Sequence, residues 1–311
     1  MTKKILVIAG PTAVGKTSTS LEIAKRINGE IVSADSMQVY KYLDIGTAKP
    51  STKERNIVKH HMIDVCLPEK RFNVAEYVSA ASACIEDISS RNKTPIIVGG
   101  TGLYIDNLIY NNDFGAFDID NSIRENLTER AKYEGGATLL EELSKVDSIS
   151  AEKLHKNDIR RIISALEVYY STGIPLSYYV EKSRNNNRKY DFLYCVLNMS
   201  SREFLYDRIN SRVDLMMKEG LLEEAKWVIE SPWYIHATAS QAIGYKEFEP
   251  YFNSDKCLKE CVDTLKQHSR NYAKRQLTWF RHNQDAVFFN VDEVNDIAVE
   301  IINRFCTQED K

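Results

Sequence analysis

The first hundred residues alternate between two hydrophobic patterns. Short, nearly continuous apolar runs at residues 4–9, 30–34 and 95–98 read as strands buried on both faces, and residues 61–65 are a possible further strand. Between them, residues 17–27 and 74–91 carry apolar positions at helical spacing. This alternation predicts an α/β fold, a parallel sheet with helices on both faces. From 113 to 182 the pattern is helical throughout, with helices expected at 122–133, 138–145, 151–155 and 158–170. A strand pattern returns within 188–199, centred on 192–197. The middle is therefore read as a helical insertion, residues 113–185, that interrupts an α/β core of residues 1–112 and 186–311. The polar run at 181–187 serves as its exit. Helices follow at 201–219, 221–230 and about 254–282, then a strand at 286–291 and a helix at 293–305.

Composition narrows the class. The 311 residues are 43% hydrophobic and 27% charged, which excludes a disordered chain. No apolar run approaches the roughly 18 residues of a membrane span, and the apolar run at 5–8 is too short for a signal peptide. The expectation is a cytoplasmic protein without membrane attachment. Six cysteines, at 66, 84, 195, 257, 261 and 306, form no C-x-x-C pair and read as reduced thiols. The net charge of −3 means that any nucleic acid must be met by a local basic patch.

The chemistry begins at Gly10-Pro11-Thr12-Ala13-Val14-Gly15-Lys16-Thr17, a G-x-x-x-x-G-K-[ST] phosphate loop between the first strand and the first helix. The N–H groups of residues 13–17 would surround phosphate oxygens at a helix N-terminus. Lys16 would neutralise charge and the Thr17 hydroxyl would hold Mg²⁺. An ATPase of this class carries an Asp at the end of an apolar strand. Here the strand at 95–98 ends in Gly99-Gly100-Thr101-Gly102, read as a flexible backbone with one hydroxyl beside the phosphates. The carboxylate in this half is Asp35, at the end of the second strand, where a parallel sheet presents residues to its ligand crevice. Asp35 could accept a proton from an attacking nucleophile. Kinase chemistry and displacement of diphosphate from carbon both fit.

A second signal lies in the C-terminal half. Residues 264–284 contain no Asp or Glu, but carry Lys266, Arg270, Lys274, Arg275 and Arg281 interleaved with Tyr272, Trp279 and Phe280. Arg270, Lys274 and Arg281 fall close to one helical face. Cations beside aromatics suit phosphate contact and base stacking, and equally a solvated basic helix with aromatics packed inward.

With these segments assembled, the chain resembles the tRNA dimethylallyltransferases over most of its length. The matching blocks run in order: the phosphate loop; Asp35-Ser36-Met37-Gln38-Val39-Tyr40 continuing to Asp44-Ile45-Gly46-Thr47-Ala48-Lys49-Pro50; His60-His61; residues 95–104; Ala165-Leu166-Glu167-Val168; Gln241-Ala242-Ile243-Gly244-Tyr245-Lys246-Glu247; and Lys274-Arg275-Gln276-Leu277-Thr278-Trp279-Phe280-Arg281. The resemblance implies a P-loop kinase-like fold. It also implies transfer of a dimethylallyl group from dimethylallyl diphosphate to the exocyclic amine of the adenosine 3′-adjacent to the tRNA anticodon, with Mg²⁺. The phosphate loop then holds a leaving group. Asp35 would align the amine and take its proton, Lys16 and Arg212 would neutralise the diphosphate, and Thr101 would contact the bridging oxygen. The target adenine must leave its stack.

By the same resemblance, RNA contacts fall on Asp35-Ser36-Met37-Gln38, Thr101, Arg124, Arg160-Arg161-Ile162-Ile163-Ser164, residues 241–246 and residues 274–281. The insertion would grip the anticodon arm. Ser164 stands where the commoner family pattern has Arg, a role Arg160 and Arg161 could cover. No Cys/His spacing for a C-terminal zinc finger is present, so a short bacterial or organellar form is expected. An asymmetric RNA site suggests a monomer. His60-His61 reads as structural. The competing readings are a small-molecule kinase and an isopentenyltransferase acting on free adenine nucleotides. The first leaves the basic helix and the insertion block unexplained, and the second shares only the catalytic half.

Overall fold

The computed structural model describes residues 3–110, 121–184, 188–235 and 237–307. The chain divides into two compact units: residues 1–108 with 190–311, and residues 109–189.

In the first unit, β1 (Lys4–Ala9), α1 (Lys16–Arg26), β2 (Gly29–Ser33), α2 (Thr52–Ile57), β3 (His60–His61), α3 (Val74–Ser90), β4 (Thr94–Gly99) and α4 (Gly102–Ile109) come first. The second unit holds α5 (Asn121–Tyr133), α6 (Gly135–Val146), α7 (Ser148–Ala151), α8 (Ile159–Thr172) and α9 (Leu176–Arg184). The chain then returns to the first unit with β5 (Asp191–Asn198), α10 (Arg202–Lys218), α11 (Leu221–Glu230), α12 (Glu249–Phe252), α13 (Leu258–Arg281), β6 (Ala286–Asn290) and α14 (Ile297–Thr307).

The six strands form one parallel sheet in the order β3-β2-β4-β1-β5-β6. β1 lies centrally, with Leu6 opposite Ile96 of β4 and Leu193 of β5. Ile5, Leu6, Val7 and Ile8 are all fully buried, because helices cover both faces and none of these four positions reaches solvent. The ends of β1, β2 and β4 therefore converge at one edge, where Gly10, Asp35 and Gly100 begin their loops.

Three of the differences from the sequence reading have local causes. The third strand stops at His61 because Met62 (φ 62°) and Asp64 (φ 57°) turn into the left-handed region, which no strand tolerates. The long helix starts at Leu258, not near 254, because Ser254 has φ 62° and the Cys257 N–H is capped by Glu260 (2.9 Å). α2 was not expected, although Ser51-x-x-Glu54 is a capping box whose two reciprocal bonds both form. α4 begins immediately after the glycine run that had read only as a turn, and α9 was likewise not expected.

His61 packs structurally. Its Nε2 meets Glu30 (2.8 Å), which also receives Arg91 at 2.5 and 2.7 Å and Lys93 at 2.8 Å, while His60 Nδ1 meets the Val58 carbonyl. Glu30 is only 2% exposed. These donors hold its carboxyl far below the ordinary range, with Arg91 contributing most. This cluster sits at the start of β2, the end away from Asp35.

The second unit has its own core of Leu127, Leu139, Leu143, Ile162, Ile163, Ala165 and Leu166.

Candidate active site

The phosphate loop leaves β1 at Gly10 and enters α1 at Lys16. Ala13 (φ 63°) and Gly15 (φ 108°) take left-handed backbone conformations, which turn successive N–H groups inward as a nest. Among the described residues, no acceptor meets the N–H of Ala13, Val14, Gly15, Lys16 or Thr17. Lys16 Nζ donates to the carbonyls of Gly10 (2.9 Å) and Pro11 (2.7 Å), so the cation is held over the loop. Burial, and then the neighbouring Arg212, push its pKa down to about 7, while Asp35 pulls it up. Arg212, on α10, is likewise lowered by burial and raised by Asp35. A site that depresses its own cations in this way is short of negative charge and suits an anion.

One turn before Arg212, Arg208 donates from Nε to the Ala13 carbonyl (2.8 Å), with Nη2 3.8 Å from where a Cβ on Gly15 would stand. The sequence reading passed over Arg208. The four-residue spacing from Arg212 on one helix was the signal that could have found it.

Asp35 follows β2. Its Oδ1 accepts from the N–H groups of Met37 (2.9 Å) and Gln38 (3.3 Å), an Asx turn that fixes the carboxylate. No other described residue hydrogen-bonds Asp35, which leaves its second oxygen for a ligand. Thr101 joins it across the strand ends: its hydroxyl accepts from Ser36 N–H (3.0 Å) and lies 3.3 Å from the Ser36 hydroxyl. Tyr272 of α13 reaches the same place, hydrogen-bonding Thr101 and Gln276 and facing Asp35, and burial raises its phenol.

The glycines after β4 serve close packing, which corrects the expectation of a flexible turn. A Cβ on Gly100 would stand 2.1 Å from Gln276 Nε2, and one on Gly102 2.2 Å from the Trp279 ring. Both neighbours belong to α13. Trp279 also donates to Asp106 of α4 (2.7 Å).

The residues expected to face RNA divide into two groups. Arg160, Arg161, Gln241, Lys246, Lys274, Arg275, Thr278, Trp279 and Arg281 are exposed. Ile162, Ile163, Ala242, Gly244, Tyr245, Gln276 and Phe280 are buried, and Met37, Ile243 and Leu277 are partly so; these shape their segments from within, a correction to the expected surface. Gln38 spends its amide on the Thr47 and Ala48 carbonyls and on Ser33. Arg124 is committed to Glu167 at 2.6–3.0 Å and to the Ser164 hydroxyl. The Ser164 position thus supports Arg124 inside the insertion.

Sequence reading also missed Glu224. It accepts three consecutive backbone N–H groups, of Asp44, Ile45 and Gly46 (2.8–3.0 Å), and the Tyr245 hydroxyl (2.9 Å). It thereby ties two of the matching blocks together.

The comparisons with known proteins decide the family. The IPP transferase family matches residues 38–283. This chain belongs to that family. It is 46% identical to a tRNA dimethylallyltransferase of Acetivibrio thermocellus, over 93% of this chain and 92% of that one. It is also 46% identical to one of Caldanaerobacter subterraneus, over 94% and 93%. Among solved structures it resembles the tRNA isopentenylpyrophosphate transferase of Bacillus halodurans (41% identity, TM-score 0.70, 99% of this chain and 96% of that chain). It also resembles a eukaryotic dimethylallyltransferase acting on tRNA (30%, TM-score 0.81, 98% and 80%). The P-loop fold of the IPP transferases is what the sheet order and the loop after β1 display here. Among the described residues no helix is long and apolar enough to cross a membrane.

Proposed function

We propose that this IPP transferase moves a dimethylallyl group from dimethylallyl diphosphate to N6 of the adenosine 3′-adjacent to the tRNA anticodon and releases diphosphate. The observation that carries this reading is the juxtaposition of an anion cradle with a fixed carboxylate, Asp35, while β4 ends in Gly99 where a nucleotide hydrolase has Asp. The five N–H groups of residues 13–17, Lys16, Arg208 and Arg212 bind and neutralise the leaving diphosphate. Thr101 donates to the bridging oxygen. The adenine amine is a weak nucleophile because its lone pair is delocalised into the ring. Asp35 accepts its proton as the N6–C1 bond forms and the C1–O electron pair departs with diphosphate.

The donor set of the loop fits Mg²⁺ as an ion held mainly by substrate. Thr17 offers one hard oxygen, and among the described residues no three carboxylate, His or Cys groups gather to hold a metal. Thr17 would hold the ion together with diphosphate oxygens and water. When bound, Mg²⁺ supplies charge neutralisation to the leaving group.

The exposed Lys274, Arg275, Thr278, Trp279 and Arg281 on α13 meet the RNA backbone and flanking bases, and Arg160 and Arg161 on the insertion meet the anticodon arm. Six free thiols support a reducing, cytoplasmic setting. The test is competition: labelled dimethylallyl diphosphate with Mg²⁺ is offered unmodified tRNA, AMP, or a small alcohol plus ATP. Label on tRNA alone is expected. Label on AMP alone, or ATP turnover with the alcohol, overturns the reading.

A further inference from the structure

Gln276 is the least expected residue of the site. It lies on the helix whose exposed side reads as the RNA face, yet it is 5% exposed and points the other way. Its Oε1 accepts from the Thr12 N–H of the phosphate loop (2.9 Å), and its Nε2 donates to the Gly100 carbonyl (3.0 Å). The two loops leave different strands, β1 and β4, and one carboxamide closes the gap between them. Gly100 has no side chain because a Cβ there would collide with this amide.

From these contacts we infer that Gln276 is a positioning residue for the diphosphate leaving group. This rests on the reading of the loop as a diphosphate cradle. The Thr12 N–H is taken up by Gln276, so the cradle consists of the next five N–H groups and no others. The Gly100 carbonyl is fixed one residue before Thr101, so the same amide sets the separation between the cradle and the Thr101–Asp35 edge where the acceptor amine must arrive. Lys274 and Thr278, two residues to either side, are exposed. The helix that meets RNA is thus also the strut of the donor site. A carboxamide is required, because one end must accept from an N–H and the other must donate to a carbonyl.

Two variants test this. Gln276→Met keeps the length and removes both bonds. Gln276→Glu keeps the acceptor but sets a carboxylate oxygen against the Gly100 carbonyl, except when protonated, when the acid imitates the amide. Binding of inorganic diphosphate with Mg²⁺ is measured by calorimetry, and binding of an anticodon stem-loop by fluorescence anisotropy. In Gln276→Met, diphosphate affinity should fall about 10-fold or more, while stem-loop affinity stays at the wild-type value. In Gln276→Glu, the ratio of its diphosphate Kd to that of wild type should shrink as pH is lowered from 8 to 5.5. The titrations of diphosphate, Lys16, Arg208, Arg212, Asp35 and Tyr272 are shared by both proteins and cancel in that ratio. Equal diphosphate affinity in wild type and Gln276→Met, or a parallel loss of stem-loop binding, overturns the inference alone. A wild-type protein that binds no diphosphate overturns the cradle reading and the inference with it.

Discussion

At the scale of single residues, the account turns on Asp35 and Lys16. Asp35→Asn keeps the shape and the Asx-turn acceptor but cannot take a proton. Turnover should fall by about 10²–10⁴ while stem-loop affinity is retained; unchanged turnover would remove Asp35 as the base. Lys16 gives a pH signature. Burial lowers its pKa from the ordinary 10.5 to about 7. Between those values the unfolded chain holds more protons on this group, so its contribution to stability rises with pH across that window. A bound diphosphate restores the charge, so binding at pH 8 should take up protons, measured by calorimetry in buffers of different ionisation enthalpy. Lys16→Met should abolish the part of the uptake due to this residue, and identical uptake in the variant would contradict the assignment. The phosphate loop was legible in the sequence because its ligand groups are backbone N–H, fixed by glycine spacing. The role of Gln276 was not, because a glutamine in a basic helix looks like surface until the partner loops, far away in sequence, are in place.

Secondary-structure elements show the same division between local and distant determinants. β1, β2, β4 and β5 were readable because the middle of a buried parallel strand is apolar on both faces. β3 was overread because left-handed turns at Met62 and Asp64 leave no mark in a hydrophobic pattern. α13 was readable as basic and aromatic, but its aromatics also serve packing: Phe280 is fully buried, and Trp279, though partly exposed, is anchored on Asp106 and Gly102. Its exposed cations carry the RNA prediction. Lys274→Ala and Arg281→Ala should each weaken stem-loop binding and lower the salt slope by about 1; an unchanged slope would mean that they do not touch phosphate. The charge cluster at the start of β2 belongs to stability alone. Glu30→Gln leaves Arg91, Lys93 and His61 without their shared anion and should cost about 1–3 kcal/mol in denaturant unfolding, with diphosphate affinity retained. A loss of diphosphate binding in a folded Glu30→Gln protein would show that the two ends of β2 are coupled.

For the whole molecule, the sequence placed the insertion at 113–185, and the second compact unit spans 109–189. The change of pattern from strand–helix alternation to helices alone is what set the expected bounds of the insertion. The loops that lie side by side in the first unit could not be read in the same way. Glu224 gathers residues 44–46 and Tyr245 through bonds that no local spacing announces. Position-resolved product analysis reads the destination of the prenyl group. Unmodified tRNA is reacted with labelled dimethylallyl diphosphate and digested to nucleosides, and the label is assigned by mass spectrometry of the fragments. Label is expected on N6 of the adenosine immediately 3′ of the anticodon, with one diphosphate released per label. Label on any other nucleotide, or none on tRNA while diphosphate is released, would contradict it.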